Sequence, residues 1–143
     1  MKIAYDYQAF TIYAYGGVAR YYKDLTNSLL KQRQDVKIFT GIHRNYYIQS
    51  LPKGVVHGIK IYNYPPKSVK AFQWFNHGLT QHQLRRWKPD IIHETYYSSL
   101  PVLKAKAARL TTVHDMIHEI YPDMLSIPSK NKTSSQKKIV IKS

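Results

Sequence analysis

Asp90-Ile91-Ile92-His93 is an apolar pair between polar ends, cut off by Lys88-Pro89 before it and a polar loop after it. It is too short for a helix and shows no polar face. A strand of that kind is covered on both sides, as in a parallel sheet. Four other segments read as strands: Lys2 to Asp6, Asp35 to Gly41, part of Gly54 to Tyr64 with a possible break at Gly58, and Leu110 to Val113. Helical spacing fills the gaps between them. Val18, Tyr21, Tyr22, Leu25 and Leu29 recur on one stripe up to about Gln32. Ser68 starts a second helix that runs to about Trp87, with Val69, Phe72, Phe75, Leu79 and His82 as its expected apolar stripe. Strands alternating with helices give an α/β fold: a Rossmann-like three-layer α/β/α sandwich with a mainly parallel sheet.

The remaining segments are read less directly. Tyr7 to Tyr15 has no period and reads as a long loop, as does His43 to Ser50. Pro101 presets the first turn of a short helix to about Ala108. Lys130 to Ser143 reads as a last helix. A doubly wound sheet would gain another strand after Ser143, so the domain is expected to be incomplete there.

The 143 residues suit one domain, and 43% of them are hydrophobic, enough for a core. The absence of cysteine excludes disulfides and thiolate metal sites. Met1 to Asp6 is too short and polar for a signal peptide. No apolar run reaches the roughly 20 residues needed to span a bilayer. A soluble, cytoplasmic protein is expected. The net charge of +14 attracts polyanions: nucleic acid, anionic lipid surfaces or phosphorylated substrates. Lys130, Lys132, Lys137, Lys138 and Lys142 supply only part of that excess.

Four groups of residues carry possible chemistry. Gly16-Gly17 precedes a helix, where bare backbone and a positive helix end suit phosphate; taken by itself, though, the pair reads first as glycines that simply permit a turn. His114-Asp115 closes the fifth strand, and ligands of open α/β sheets bind outside such strand ends. The pair can serve a sugar hydroxyl and a developing charge, or cap backbone and start the next turn. His118 and Glu119 follow it. His114 and His118 are four apart, but the order is not that of a zinc helix and Pro122 interrupts it, so no metal is expected. His93-Glu94 ends the fourth strand, either lining the same crevice or supplying a solvated acid. Arg85-Arg86-Trp87-Lys88 reads as a solvated helix face or, alternatively, as a membrane or nucleic-acid contact.

The run Gly16-Gly17-Val18-Ala19-Arg20-Tyr21 after a first strand resembles the glycine loop of family-four glycosyltransferases with the GT-B fold. Pro89-Asp90-Ile91-Ile92-His93 and Thr112-Val113-His114-Asp115-Met116-Ile117-His118-Glu119-Ile120-Tyr121-Pro122 resemble the mannosyltransferase-type members. The resemblance implies a GT-B N-terminal half-domain over residues 1–125, mainly holding the acceptor, with 126–143 as a basic helix of the same incomplete domain. It implies sugar transfer with retention from a nucleotide-sugar to a glycan or lipid-linked acceptor, with no metal or other cofactor. By position, Gly16 and Gly17 would approach the donor diphosphate, Arg20 would support the loop or the phosphate, and His114 with Asp115 would meet the donor sugar.

A separate C-terminal GT-B domain is then the expected partner, because the donor-binding half is not in this sequence and the chain alone is expected to lack full activity. An anionic membrane is a further expected partner, with the protein peripheral at the inner membrane face. Two other function classes stand beside this one. One is a non-catalytic remnant or subunit that binds glycan or nucleotide-sugar. The other is a basic nucleic-acid or membrane-surface binder, although no nucleic-acid module signature occurs and nucleic acid is not the expected partner.

Overall fold

A computed structural model describes residues 1–97, 100 and 104–114. The elements run β1 (Lys2–Tyr5), α1 (Gln8–Ile12), α2 (Gly17–Lys31), β2 (Asp35–His43), a 3-10 turn (Tyr47–Ser50), β3 (Val56–Lys60), α3 (Val69–Trp87), β4 (Ile91–Glu94) and β5 (Ala108–Thr111). All strand pairs are parallel, in the order β3-β2-β1-β4-β5. The chain winds outward from β1 to β3, then returns to the other side of β1. The turning point of the topology therefore lies between β1 and β4, where such sheets open a crevice at their carboxyl ends.

Alternation along the strands divides the core into two layers. Ile3, Tyr5, Val36 and Ile38 face α2 and the 3-10 turn, packing with Phe10, Ala19 and Tyr22. Ala4, Phe39 and Ile92 face the other way, against Leu84 and Trp87 of α3. This is the expected Rossmann-like sandwich. Among the described residues no helix is long and apolar enough to cross a membrane.

The structure corrects several local expectations. Tyr7 to Tyr15 is not all loop: Gln8–Ile12 forms one helical turn, with Ala9, Phe10 and Thr11 buried. A single turn is too short to show a period, and a tertiary bond pins it: the Ala9 N–H donates to Thr95 Oγ1 at 3.1 Å, beside the local bonds from the Gln8 backbone and side chain to Asp6. Gly41 does not end β2, which continues to His43. Gly41 instead takes a left-handed φ of 59° at an irregularity in the β2–β3 register. Asn76 of α3 fills the gap there: its Oδ1 accepts from Ile42 N at 2.7 Å, and its Nδ2 donates to Ile42 O at 2.7 Å and to Thr11 Oγ1 at 2.8 Å. Gly58 does not break β3. It is the residue that lets β2 approach, because a Cβ there would lie 2.1 Å from Thr40 Oγ1.

The stripe expected to bury α3 is also wrong. Asn76, Thr80 and Leu84 face the sheet, while Phe75 and His82 are exposed. Polar residues win the inner face because β2 offers them unpaired groups: Thr80 donates to Phe39 O at 3.1 Å, beside the Asn76 bonds. Finally, β5 runs from Ala108 to Thr111 and not from Leu110 to Val113, so His114 lies three residues past its end, and residues 104–107 are not helical, so the expected helix from Pro101 to Ala108 does not extend through them. Residues 101–103 of that helix and the expected helix from Lys130 to Ser143 lie outside the described residues.

Candidate functional site

β1 runs straight into Asp6, which is buried at the carboxyl end of the central strand. Its Oδ1 accepts from the Thr95 backbone at 2.9 Å and from the Thr95 hydroxyl, and its Oδ2 accepts from Gln8 Nε2 at 2.6 Å. These bonds tie the ends of β1 and β4 together and hold α1 beneath the loop before α2. Burial pushes the Asp6 carboxyl up to about 6, against the opposing pull of the Thr95 hydrogen bonds.

That loop ends at Gly16 and Gly17. Gly16 has φ 155° and ψ 154°, a conformation open to glycine and costly for other residues. Around Gly17 a Cβ would meet nothing within 4 Å. The α2 N-terminus has no side-chain cap and no acid in its first turn. Bare backbone, open space and an uncapped helix end make a place where an anion is favoured. The Arg20 guanidinium is exposed and leans toward Asp24, 3.9 Å away on the next turn.

Beyond β4 and β5 lies an aromatic and imidazole cluster. Tyr22 of α2 is fully buried, with its ring edge-on to His93 at 5.0 Å and to His114 at 5.5 Å. Tyr21 stands edge-on to His114 from the same helix at 5.2 Å. His93 Nε2 lies 2.9 Å from Thr112 Oγ1 and 3.4 Å from the Tyr22 hydroxyl. The His114 backbone N–H donates to the Tyr97 hydroxyl at 3.1 Å. His114 Nε2 is buried and has no hydrogen-bond partner among the described residues. Burial lowers both imidazoles, and the neighbouring His114 lowers His93 further, to about 4. Both rings are therefore neutral at pH 7, able to give or take a hydrogen bond without carrying charge.

The expected site residues thus divide. His93 and His114 come together around Tyr22, on the helix that Gly16 and Gly17 introduce. Glu94 is drawn sideways: its carboxylate pairs with the Arg109 guanidinium and accepts from Thr111 Oγ1 at 3.3 Å, both on β5. Asp115, His118 and Glu119 lie outside the described residues. Among the described residues no group of three or more His, Asp or Glu side chains is placed to hold a metal ion.

The sequence reading missed Asp6, Thr95, Tyr21, Tyr22 and Thr112. Asp6 had a visible signal, an acid at the carboxyl end of an apolar strand. The two tyrosines did not, because they occupy ordinary apolar positions of an amphipathic helix.

The family model for Glycosyltransferase Family 4 matches residues 15–140, the range that holds the glycine-led helix and both imidazoles. The chain belongs to Glycosyltransferase Family 4. No curated protein and no solved structure matches it. The family match covers the glycine loop, α2, both histidines and β5, so the imidazole cluster lies inside the glycosyltransferase domain.

Proposed function

We propose that this domain is the acceptor-side half of a retaining glycosyltransferase that moves a mannose-like hexosyl group from a nucleotide-sugar to a glycan or lipid-linked acceptor. One arrangement supports this reading: the uncapped α2 N-terminus beside Gly16 and Gly17, with His114 held by Tyr21 and Tyr22 of the same helix. A diphosphate at the helix end would place its attached sugar toward the imidazoles.

The chemistry follows from the groups present. Breaking the bond from the sugar to the diphosphate leaves negative charge on the phosphate and positive character on the sugar. The α2 N–H groups favour the first. A neutral His114 beside the sugar does not repel the second, as an imidazolium would, and its buried Nε2 is the unpaired group that a sugar hydroxyl reaching it would satisfy. His93 keeps that geometry through Thr112 and Tyr22. Asp115, next in sequence, is assigned to the same sugar, and Arg20, Glu94, His118 and Glu119 to the rim. No step in this scheme calls on a metal ion. A second domain of GT-B type, in this polypeptide or a separate one, is proposed as the opposite wall of the cleft.

The test is transfer from a sugar nucleotide, assayed with such a second domain supplied. His114→Ala is expected to lower kcat about 100-fold, the scale of losing one positioned hydrogen-bonding group at a developing charge. Unchanged activity would remove His114 from the site.

A further inference from the structure

The register of the sheet sets His43 beside Lys60 at the end of the β2–β3 pair. With Gln49 and Lys53 they line a pocket of about 210 Å³ between the 3-10 turn and β3. His43 is 3% exposed, and its Nδ1 is buried without a hydrogen-bond partner among the described residues. An unpaired buried polar atom is costly, so a ligand oxygen reaching it is favoured. The Lys60 ammonium lies 3.3 Å from the centre of the Tyr46 ring and 4.8 Å from that of Tyr62. Two aromatic rings thus hold the cation in place. Among the described residues no carboxylate pairs with it. Residues 36–89 contain nine lysines and arginines and no acid at all. Tyr46 in turn stacks on Tyr15, with rings 4.5 Å apart and 6° from parallel. Tyr15 is 60% exposed and directly precedes Gly16. An aromatic ledge therefore runs from the glycine loop to the pocket, and the imidazole cluster at β4 and β5 makes no use of it.

We propose that the His43–Lys60 pocket is a specificity site for an acidic saccharide, taking a carboxylate or phosphate carried on a sugar whose ring lies along the Tyr15–Tyr46 ledge. The acidic saccharide is the acceptor, a role that rests on the transferase reading; its binding does not. A fixed ammonium and an imidazole nitrogen able to carry a proton are the donors that an anionic oxygen needs. The apolar faces of the tyrosines suit the C–H face of a pyranose, and their hydroxyls suit its polar rim. A neutral sugar would leave the ammonium and the imidazole unsatisfied. A free phosphate would leave the ledge empty. The absence of acid across this half of the domain removes the repulsion that would oppose an anion.

Titration of the full chain with methyl glucuronide, mannose 6-phosphate, methyl mannoside and inorganic phosphate tests it, read at the His43 side-chain resonances. Burial and the Lys60 charge hold this imidazole at about 4, so it is neutral at pH 7 and an anion seated against it should raise that value. Methyl glucuronide, mannose 6-phosphate or both should shift His43 saturably, and the tighter of the two identifies the anion. Methyl mannoside and inorganic phosphate should bind at least about tenfold more weakly. Lys60→Gln should weaken the acidic sugar about tenfold, and Tyr15→Ala about fivefold. Lys60 is half-buried and Tyr15 exposed, so the far-UV circular dichroism of both variants should match the parent. Equal binding of methyl mannoside would overturn the proposal, as would wild-type affinity in Lys60→Gln, or shifts at His93 and His114 in place of His43. Inorganic phosphate binding as tightly as the acidic sugars would overturn the assignment to a saccharide. These titrations use no donor and no second domain, so their outcome is separate from the His114 transfer test. In that transfer assay Lys60→Gln should raise KM for an acidic acceptor about tenfold and change kcat little, the reverse of His114→Ala. An unchanged KM would overturn the acceptor role.

Discussion

Tyr22 and His93 meet edge to face across the buried junction of α2 and β4, with rings 5.0 Å apart and the hydroxyl 3.4 Å from Nε2. The same hydroxyl donates to Glu94 O at 3.3 Å. One side chain thus fixes both a core contact and the height of the imidazole at the strand end. Tyr22→Phe should keep the ring packing and cost about 1 kcal/mol of stability, the scale of a buried hydrogen bond. Tyr22→Ala should cost about 3–5 kcal/mol. Urea unfolding of the two variants separates the contributions.

Stability should fall in acid with a definite sign. Burial holds His43 and His93 near 4, against 6.5 when unfolded. The unfolded chain therefore binds more protons between these values, and stability is lost as pH drops from 6.5 toward 4. Asp6 acts oppositely: its carboxyl is raised from 3.8 to about 6, so its burial cost is full above about 6 and relieved as pH falls toward 3.8. His93→Gln should flatten the acid loss, and Asp6→Asn should steepen it. Thermal midpoints measured from pH 7 to pH 4 decide both.

Two glycines should respond with opposite signs. An alanine at Gly58 would push its Cβ to 2.1 Å from Thr40 Oγ1 and 2.4 Å from Gly41 O, which is backbone and cannot swing away. Gly58→Ala should cost about 1–3 kcal/mol, an overpacking loss. Gly78 sits mid-helix on α3 with nothing within 4 Å. Gly78→Ala should gain about 0.5–1 kcal/mol from helix propensity. Paired denaturation midpoints test the contrast.

These residues also show what could be read before folding. The bounds of α2 and α3 follow from periodicity and breakers, because both helices end where Gly, Pro or polar runs interrupt the stripe. The parallel sheet follows from two-sided apolar strands such as β4. The facing of α3 does not, because Asn76 and Thr80 are buried to satisfy an irregular β2 edge that exists only once β2 and β3 have paired. The α1 turn is hidden for the same reason, since it depends on Asp6 and Thr95, 89 residues apart. At the site, His93, His114 and the glycines were legible as strand-end and loop residues. Tyr22 was not, since its hydroxyl has no role until α2 lies over β4.

The central claim is that the α2 N-terminus and the two strand-end imidazoles form one sugar-nucleotide site. It is tested most directly by following the histidine side-chain resonances of the chain while a sugar nucleotide such as GDP-mannose is added. His93 and His114 are expected to shift together and saturably while His57 on β3 stays still, and His114→Ala is expected to remove the response. Shifts at His57 with none at His93 or His114 would contradict it.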